Sequence, residues 1–306
     1  MDFQVDLKSS INSSFLFAYS LVILNIIIGC SEDTSVKKDK PRESNIPLNY
    51  TLFFSDEFNG NGQIDSSKWS FDLGSPLIGG TVWGNNENQH YTSESDNVFL
   101  SGGYLNIQAV YGKPTGSSNG VFASSARITS NNSNFYQSIG NNPYGFYEIR
   151  AKIPCVKGAW PAIWLLGKDG TWPDRGELDI MEWYGRYSDQ YTSTSVVHTK
   201  SFSGDVSQSP YGQYGSQKID SLCSDFQRFQ VNWKENEIIF SVNDVETFTY
   251  TKRSHFTINE WPFDQPAYLI MNIAVGGNLG GTVNINDIPE MRMMIDYVRV
   301  YKAPLD

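Results

Sequence analysis

The stretch Glu177-Leu178-Asp179-Ile180-Met181-Glu182 combines the period of a β-strand with an irregular spacing of acidic residues. Glu177 and Asp179 alternate with apolar residues, which indicates a strand with one polar face. Strict alternation would place the next residue of that face at Met181, yet the acid comes one position later. A β-bulge that absorbs one residue would return Glu182 to the acidic face. The sequence therefore predicts three carboxylates on one face of a bulged strand, with Met181 unpaired.

This arrangement suits acid/base chemistry. With the bulge, the Cα atoms of the two glutamates would lie roughly 13 Å apart, about four strand rises. Side chains that lean toward each other would bring the carboxyl groups toward the ~5–5.5 Å separation of retaining glycosidases. The shorter Asp179 would lie beneath the pair, hold one proton and move the neighbouring pKa values apart. The alternative is the acidic outer face of an ordinary strand, but three carboxylates without Lys or Arg among them repel each other.

Composition limits the class of protein. The chain has 306 residues, of which 40% are apolar and 14% aromatic, enough for one large domain or two small ones. Its net charge of −10 argues against a nucleic-acid partner. The three cysteines show no spacing typical of a zinc site. Cys155 and Cys223 could form a disulfide or remain as two buried thiols, and the sequence does not decide between these.

The amino terminus resembles the leader of a bacterial lipoprotein. A mostly apolar run over residues 15–28 precedes Ile27-Ile28-Gly29-Cys30, which resembles a lipobox. We expect residues 1–29 to be a signal peptide, Cys30 to be lipidated, and residues 30–47 to be a flexible tether. This predicts export and anchoring to the bacterial outer membrane, facing either the periplasm or the cell surface; Ser31-Glu32-Asp33 resembles a surface-export tag. The lipid would be the only membrane contact; an uncleaved anchor helix is the alternative.

The pattern after residue 48 is that of an all-β protein. Short apolar runs alternate with turn clusters such as Asn59-Gly60-Asn61-Gly62, and convincing helical periodicity is nearly absent. Many short strands without helical crossovers predict an antiparallel sandwich or barrel. No interior linker divides residues 48–303, so one domain is expected.

Aromatic residues are more numerous than a core requires, with eight tryptophans and seventeen tyrosines. Indole faces pack on pyranose rings while their N–H groups reach hydroxyls, so we consider several of these residues as parts of a sugar-binding cleft. For each of them, a place in the core is the alternative. The candidates near the acidic strand or near loops are Trp83, Trp160, Trp164, Trp172 and Trp183.

Eight motifs between residues 52 and 301 form a recognisable set. They are Phe54-Ser55-Asp56-Glu57-Phe58-Asn59-Gly60, Trp83-Gly84-Asn85-Asn86-Glu87, Ser125-Ala126-Arg127-Ile128, Gly145-Phe146-Tyr147-Glu148-Ile149-Arg150-Ala151-Lys152, Trp160-Pro161-Ala162-Ile163-Trp164, the acidic stretch, Asn272-Ile273-Ala274-Val275-Gly276-Gly277 and Asp296-Tyr297-Val298-Arg299-Val300-Tyr301. Together they resemble the laminarinase-like branch of glycoside hydrolase family 16. The resemblance implies a β-jelly-roll sandwich of two curved antiparallel sheets with an open concave cleft.

The resemblance also implies roles for the three acids. Glu177 would be the nucleophile, Glu182 the general acid and then the base, and Asp179 an assistant through hydrogen bonding and charge. Glu182 must hold a proton in the free enzyme near neutral pH, and we expect the charges of the other two acids to raise its pKa.

Other matched residues would bind substrate or a metal. His198 matches a histidine near the catalytic pair, and Asn86 and Arg127 match donors in the subsites for the non-reducing side of the glucan. The family often holds a structural calcium ion, for which Asp296 would supply a carboxylate and Glu57 and Gly103 carbonyl oxygens; an ordinary surface aspartate is the alternative. No cofactor is expected to be required for catalysis.

The implied activity is hydrolysis of internal β-1,3-glucosidic bonds in laminarin-like glucans with retention of configuration. The bulge separates this branch from lichenases with the shorter E-x-D-x-E triplet, although some bulged members also cut mixed-linkage glucan. Agarases and carrageenases share the acidic triplet too, but the Trp83 to Glu87 motif favours glucan over galactan. A non-catalytic glucan-binding protein on the same fold is the alternative of another class. We expect a monomer.

Overall fold

The computed structural model describes residues 44–74, 85–112, 120–131, 143–187, 189–204 and 212–303. The predicted signal peptide, the predicted lipidation site Cys30, most of the predicted tether and Trp83 lie outside these ranges, so the predictions for them are not tested by the fold.

Strands dominate the described ranges, as the alternating sequence patterns predict. In chain order they are β1 Thr51–Asp56, β2 Ser70–Phe71, β3 Gln89–Tyr91, β4 Val98–Ser101, β5 Tyr104–Gln108, β6 Val110–Tyr111, β7 Ala123–Ser125, β8 Arg127–Thr129, β9 Gly145–Lys152, β10 Ala159–Gly167, β11 Glu177–Glu182, β12 Thr192–His198, β13 Gln213–Lys218, β14 Gln227–Trp233, β15 Glu237–Val242, β16 Val245–Thr251, β17 Ala267–Val275 and β18 Arg292–Lys302.

Two large antiparallel sheets form the body of the domain. The sheet that carries the acidic strand has the order β13-β12-β11-β10-β17-β8-β2, and we call it the cleft sheet. The other, the back sheet, has the order β16-β15-β14-β9-β18-β5-β4, and β1 also pairs with β18. A small third sheet joins β3, β7 and β6. This architecture confirms the predicted all-β jelly-roll sandwich.

The core is formed by apolar side chains that alternate inward from the two large sheets. Leu178 and Leu269 of the cleft sheet and Ile149, Phe229 and Val298 of the back sheet are almost wholly buried in one cluster. Each such side chain contributes about 1.5–3 kcal/mol through burial. The period-two alternation that buries these residues points the residues between them outward, toward the cleft on one side.

Helical structure is limited in the described residues to the single turn α1, Gly277–Gly280, and a 3-10 helix at Ile285–Glu290. Neither has the length or the hydrophobicity that a membrane crossing requires. The near absence of helical periodicity in the sequence predicted this result.

Two features of the fold answer or extend the sequence predictions. Cys155 and Cys223 form a disulfide that links positions 68 residues apart, which decides between the two alternatives left open above. On the back sheet, the hydroxyl of Ser44 donates to the buried carboxylate of Glu148 at 2.6 Å, and the amide of Asn45 donates to Asp244 at 3.2 Å. Contact with the domain therefore begins a few residues before position 48.

Candidate active site

A β-bulge in β11 brings the three acids together. Along β10, Asp179 lies opposite Trp164 and Met181 lies opposite Ile163, so Ile180 is the residue passed over. Along β10 the unpaired residue is thus Ile180 and not the predicted Met181, whereas along β12 the register passes from Asp179 to Glu182 and leaves both Ile180 and Met181 unpaired. Both bulge side chains are fully buried in the core, because two consecutive residues turn inward there. Glu182 thereby returns to the cleft face, where it lines one cavity with the other two acids.

The cleft consists of two compartments that meet at the glutamates. The larger has a volume of about 440 Å³ and the smaller about 140 Å³. Glu177, Glu182, Trp160, Trp172 and Asn85 line both compartments. A bound chain that extends through both would therefore place one of its bonds beside the two carboxyl groups.

Glu177 lies among donors and one cation. The indole Nε1 of Trp172 donates to its Oε2 at 3.0 Å, and Asp179 also hydrogen-bonds to it. Burial, and then the charge of Glu182, raise the pKa of Glu177 to about 7. The nearby Arg127 and the two hydrogen bonds lower that pKa, because they stabilise the carboxylate. These three groups oppose the rise and hold the side chain in one orientation, so that Glu177 loses its proton near pH 7.

Glu182 accepts two hydrogen bonds from neutral groups. Trp160 Nε1 donates to Oε1 at 2.9 Å, and the Tyr184 hydroxyl donates to Oε2 at 2.7 Å. Burial raises the pKa of Glu182, and both hydrogen bonds oppose that shift. The expected cause was the charge of the other acids, so the direction agrees with the prediction and the main cause differs. Within the described parts of the chain no cation lowers the pKa of Glu182, which favours its protonated form.

Asp179 is 3% exposed and lies between Glu177 and His198. Oxygen and nitrogen atoms of these three side chains lie within 4.8 Å of one another, and His198 Nε2 is 3.4 Å from Asp179 Oδ2. Burial, followed by the charges of both glutamates, raises the pKa of Asp179 well above its ordinary value. Asp179 is therefore the acid that keeps a proton and donates it in a hydrogen bond to Glu177.

The larger compartment has an aromatic and cationic wall. Trp160 and Trp164 lie on the same face of β10, four positions apart, and both line this compartment. The guanidinium of Arg127 lies 4.6 Å from the centre of the Trp164 ring, and Trp164 Nε1 donates to Asn272 Oδ1 at 2.8 Å. Trp172 is half exposed at the junction of the compartments. This wall offers flat apolar faces and fixed donors, as a sugar chain requires.

Two predicted substrate residues lie elsewhere. Trp183 is 2% exposed in the core, with its Nε1 donating to the carbonyl of Asp189, because the residue after Glu182 points away from the cleft. The side chain of Asn86 donates to Asn278 Oδ1 at 3.0 Å and lines a separate pocket. Its neighbour Asn85 lines the cleft instead.

Other side chains that line the cleft were not predicted from the sequence; they include Asn85, Tyr91, Arg175, Tyr184, Tyr214 and Asn272. For Tyr184 a signal existed, since alternation after Glu182 places it on the same face. Tyr91 lies far along the chain, and its hydroxyl accepts a hydrogen bond from Asn272 at 3.1 Å. No local pattern could have revealed that contact.

The predicted calcium ligands fit such an ion poorly. Asp296 is buried, and its Oδ2 accepts a hydrogen bond from Arg150 Nη1 at 2.6 Å. The Arg150 guanidinium therefore neutralises the one carboxylate expected at this site, whereas oxygen-ligated calcium selects negative charge. The side chain of Glu57, of which only the main-chain carbonyl was expected to bind, pairs with Arg299 through two hydrogen bonds of 2.9 and 2.8 Å. We therefore assign no role to a metal at this position.

The raised pKa of Glu177 predicts a pH-dependent stability. In the folded protein Glu177 holds its proton up to a pH of about 7, whereas the unfolded chain releases it near 4.5. The resulting stabilisation is complete below pH 4.5 and is lost as the pH rises through 7. Relative to Glu177→Gln, we expect the free energy of unfolding of the wild type to fall by up to about 3 kcal/mol between these values.

Urea denaturation of both proteins at a series of pH values measures this difference. Glu237→Gln, which alters an exposed glutamate paired with Lys234, is the control and should give a flat difference. A flat difference for Glu177→Gln as well would show that the folded and unfolded proteins bind the Glu177 proton equally.

Comparisons with known proteins agree with this site. Residues 51–303 match a family described as "Beta-porphyranase A-D, GH16 domain". A beta-glucanase of Rhodothermus marinus is 34% identical over 293 residues, which cover 92% of this chain and 93% of that protein.

Solved structures give the same relationship. The laminarinase from Rhodothermus marinus superposes with a TM-score of 0.71 at 34% identity, covering 84% of this chain and 98% of that one. A variant of LamA from Zobellia galactanivorans, in complex with laminaritriose and laminaritetraose, gives a TM-score of 0.64 at 32% identity, covering 82% of this chain and 99% of that one. With a family match across most of the chain and relatives above 30% identity, the protein is a glycoside hydrolase that belongs to family 16.

Proposed function

We propose that this protein is a retaining endo-β-1,3-glucanase that hydrolyses internal bonds of laminarin-like glucans. The observation that carries the proposal is the position of Glu177 and Glu182 at the junction of two compartments, each held by its own indole donor. A chain that occupies both compartments is cut internally, which is endo-hydrolysis. The relatives named above, a beta-glucanase and laminarinases, support glucan as the substrate.

The reaction would proceed by two displacements. Glu177 attacks the anomeric carbon while the bond to the leaving oxygen breaks, and Glu182 gives its proton to that oxygen. Water then attacks the same carbon from the face opposite Glu177, while Glu182 removes a proton from that water. The bond between the anomeric carbon and Glu177 breaks, and the free carboxylate is restored. Asp179 donates a hydrogen bond to Glu177 and keeps it oriented. All proton transfers use carboxyl groups of this chain, so the mechanism requires no cofactor.

A galactan such as agar is the second candidate substrate, because the matching family is described by a β-porphyranase. Mixed-linkage glucan is a third. Rates of reducing-end release from laminarin, lichenan and agarose should rank laminarin first, and proton NMR should show the β-anomer appearing first. Faster cleavage of agarose would replace the proposed substrate, and an initial α-anomer would contradict the double displacement. Binding of laminarin without release of reducing ends would support a non-catalytic glucan-binding protein.

We also propose that the mature protein is exported and anchored to the bacterial outer membrane through lipidated Cys30. The support is the sequence Ile27-Ile28-Gly29-Cys30 after an apolar run. In a host that processes lipoproteins, Cys30→Ala should move the protein from the membrane fraction to the soluble fraction and abolish labelling by a fatty acid. An unchanged membrane fraction in that variant would favour an uncleaved anchor helix.

A further inference from the structure

A second pocket lies beside the cleft and plays no part in the mechanism above. It has a volume of about 480 Å³ and is lined by two cations, Lys157 and Arg186, together with asparagine, threonine and glycine residues. None of the described residues that line it carries a carboxylate. The pocket is therefore positively charged, although the chain as a whole has a net charge of −10.

Neither cation is neutralised within the described parts of the chain. The ion pairs found there do not include Lys157 or Arg186. The polar contact of the Arg186 side chain is a 3.1 Å hydrogen bond from Nη1 to the carbonyl of Asn278. Both side chains are exposed, so their charge is available to a ligand in the pocket.

Backbone hydrogen bonds hold the walls of this pocket together. The amide of Asn278 donates to the Asn85 carbonyl at 2.9 Å, and that of Arg186 donates to the Leu279 carbonyl at 3.0 Å. Gly281 permits the close packing, since a Cβ there would lie 2.9 Å from Cβ of Arg186. The position of the Arg186 backbone is therefore determined by the fold.

The pocket adjoins the cleft through three chain segments. Asn86 and Asn278 line the pocket, while their neighbours Asn85 and Leu279 line the smaller compartment. Arg186 follows two residues after Tyr184, whose hydroxyl contacts Glu182. A sugar chain that leaves the smaller compartment can thus reach the cations with a substituent.

We propose that this pocket binds an anionic substituent, either a carboxylate or a sulfate ester, on a sugar of the polysaccharide held in the cleft. Guanidinium and ammonium groups provide charge-assisted hydrogen bonds to such oxygens, and the amides of Asn86 and Asn88 complete a polar lining. The enzyme would then prefer acidic substituted glucans to neutral ones. This inference depends on the proposed glucan substrate.

The test compares kcat/KM on neutral laminarin with kcat/KM on laminarin that carries few carboxylates at C6, and separately on laminarin with few sulfate esters. The wild type should favour at least one substituted form, and that arm identifies the group. At exposed sites each cation should contribute up to about fivefold, so the double variant K157Q/R186Q should lose most of the preference. Raised salt should weaken the preference of the wild type.

Lys234→Gln, which removes a cation from the turn between β14 and β15 of the back sheet, is the matched control and should keep the preference. An equal loss on neutral and substituted substrates in K157Q/R186Q, or an unchanged preference, would overturn the proposal. Calorimetric binding of substituted laminarin oligosaccharides to Glu177→Gln, with and without K157Q/R186Q, gives an answer that needs no turnover. Neutral laminarin alone tests whether the protein hydrolyses glucan, and the ratio of substituted to neutral substrate tests the anionic pocket. The two proposals can therefore fail independently.

Discussion

Glu177→Gln should lower kcat on laminarin by more than about 10⁴-fold, because the amide cannot form the glycosyl-enzyme. The fold should survive, since glutamine has the same shape and its amide still accepts a hydrogen bond from Trp172. Above pH 7 the variant should be at least as stable as the wild type, because it avoids the cost of a buried charge. Initial rates and thermal unfolding of the same preparation measure both effects.

Chemical rescue tests the nucleophile role more directly than loss of activity. In Glu177→Ala a small anion such as azide can enter the space left by the side chain and attack the anomeric carbon. A single displacement would then yield the α-glycosyl azide, the inverted product. Glu237→Gln, an exposed change on the back sheet, should retain full activity. Activity of Glu177→Gln within tenfold of the wild type would remove Glu177 from the role of nucleophile.

The sequence predicted the catalytic face well because that information is local. Alternation from Glu177 and Asp179 would place the next acid at position 181, and its occurrence at position 182 is sufficient to predict the bulge. The same alternation explains why the fold was recognisable as an antiparallel sandwich. The bulge was misplaced by one residue because Ile180 and Met181 are both apolar, and the core accepts both.

Contacts between distant segments could not be predicted in this way. Asn85 and Asn86 are identical in chemistry, and the positive φ of 57° at Asn86 turns the chain so that the first lines the cleft. The pKa of Glu182 depends on how deeply the assembled sheets bury it, which spacing does not reveal. The disulfide likewise required the distance between two segments 68 residues apart.

Removal of the acid should have an effect that depends on the leaving group. Glu182→Ala should lower kcat on laminarin by about 10²–10⁴-fold, the usual contribution of a positioned general acid. An aryl β-glucoside whose phenol has a low pKa leaves without protonation, so its first displacement should be nearly unaffected. The glycosyl-enzyme on Glu177 would then accumulate, because no base activates water.

Azide separates the two roles of Glu182, because it attacks the glycosyl-enzyme without needing a base. It should restore turnover of the aryl substrate in Glu182→Ala and yield the β-glycosyl azide, opposite to the product expected for Glu177→Ala. Tyr184→Phe is the matched milder change. It removes a donor that lowers the pKa of Glu182, so the alkaline limb of its activity should move to higher pH while Glu182 stays in place. A loss in Glu182→Ala that is equal for good and poor leaving groups would show that Glu182 supports the cleft and does not protonate the leaving oxygen.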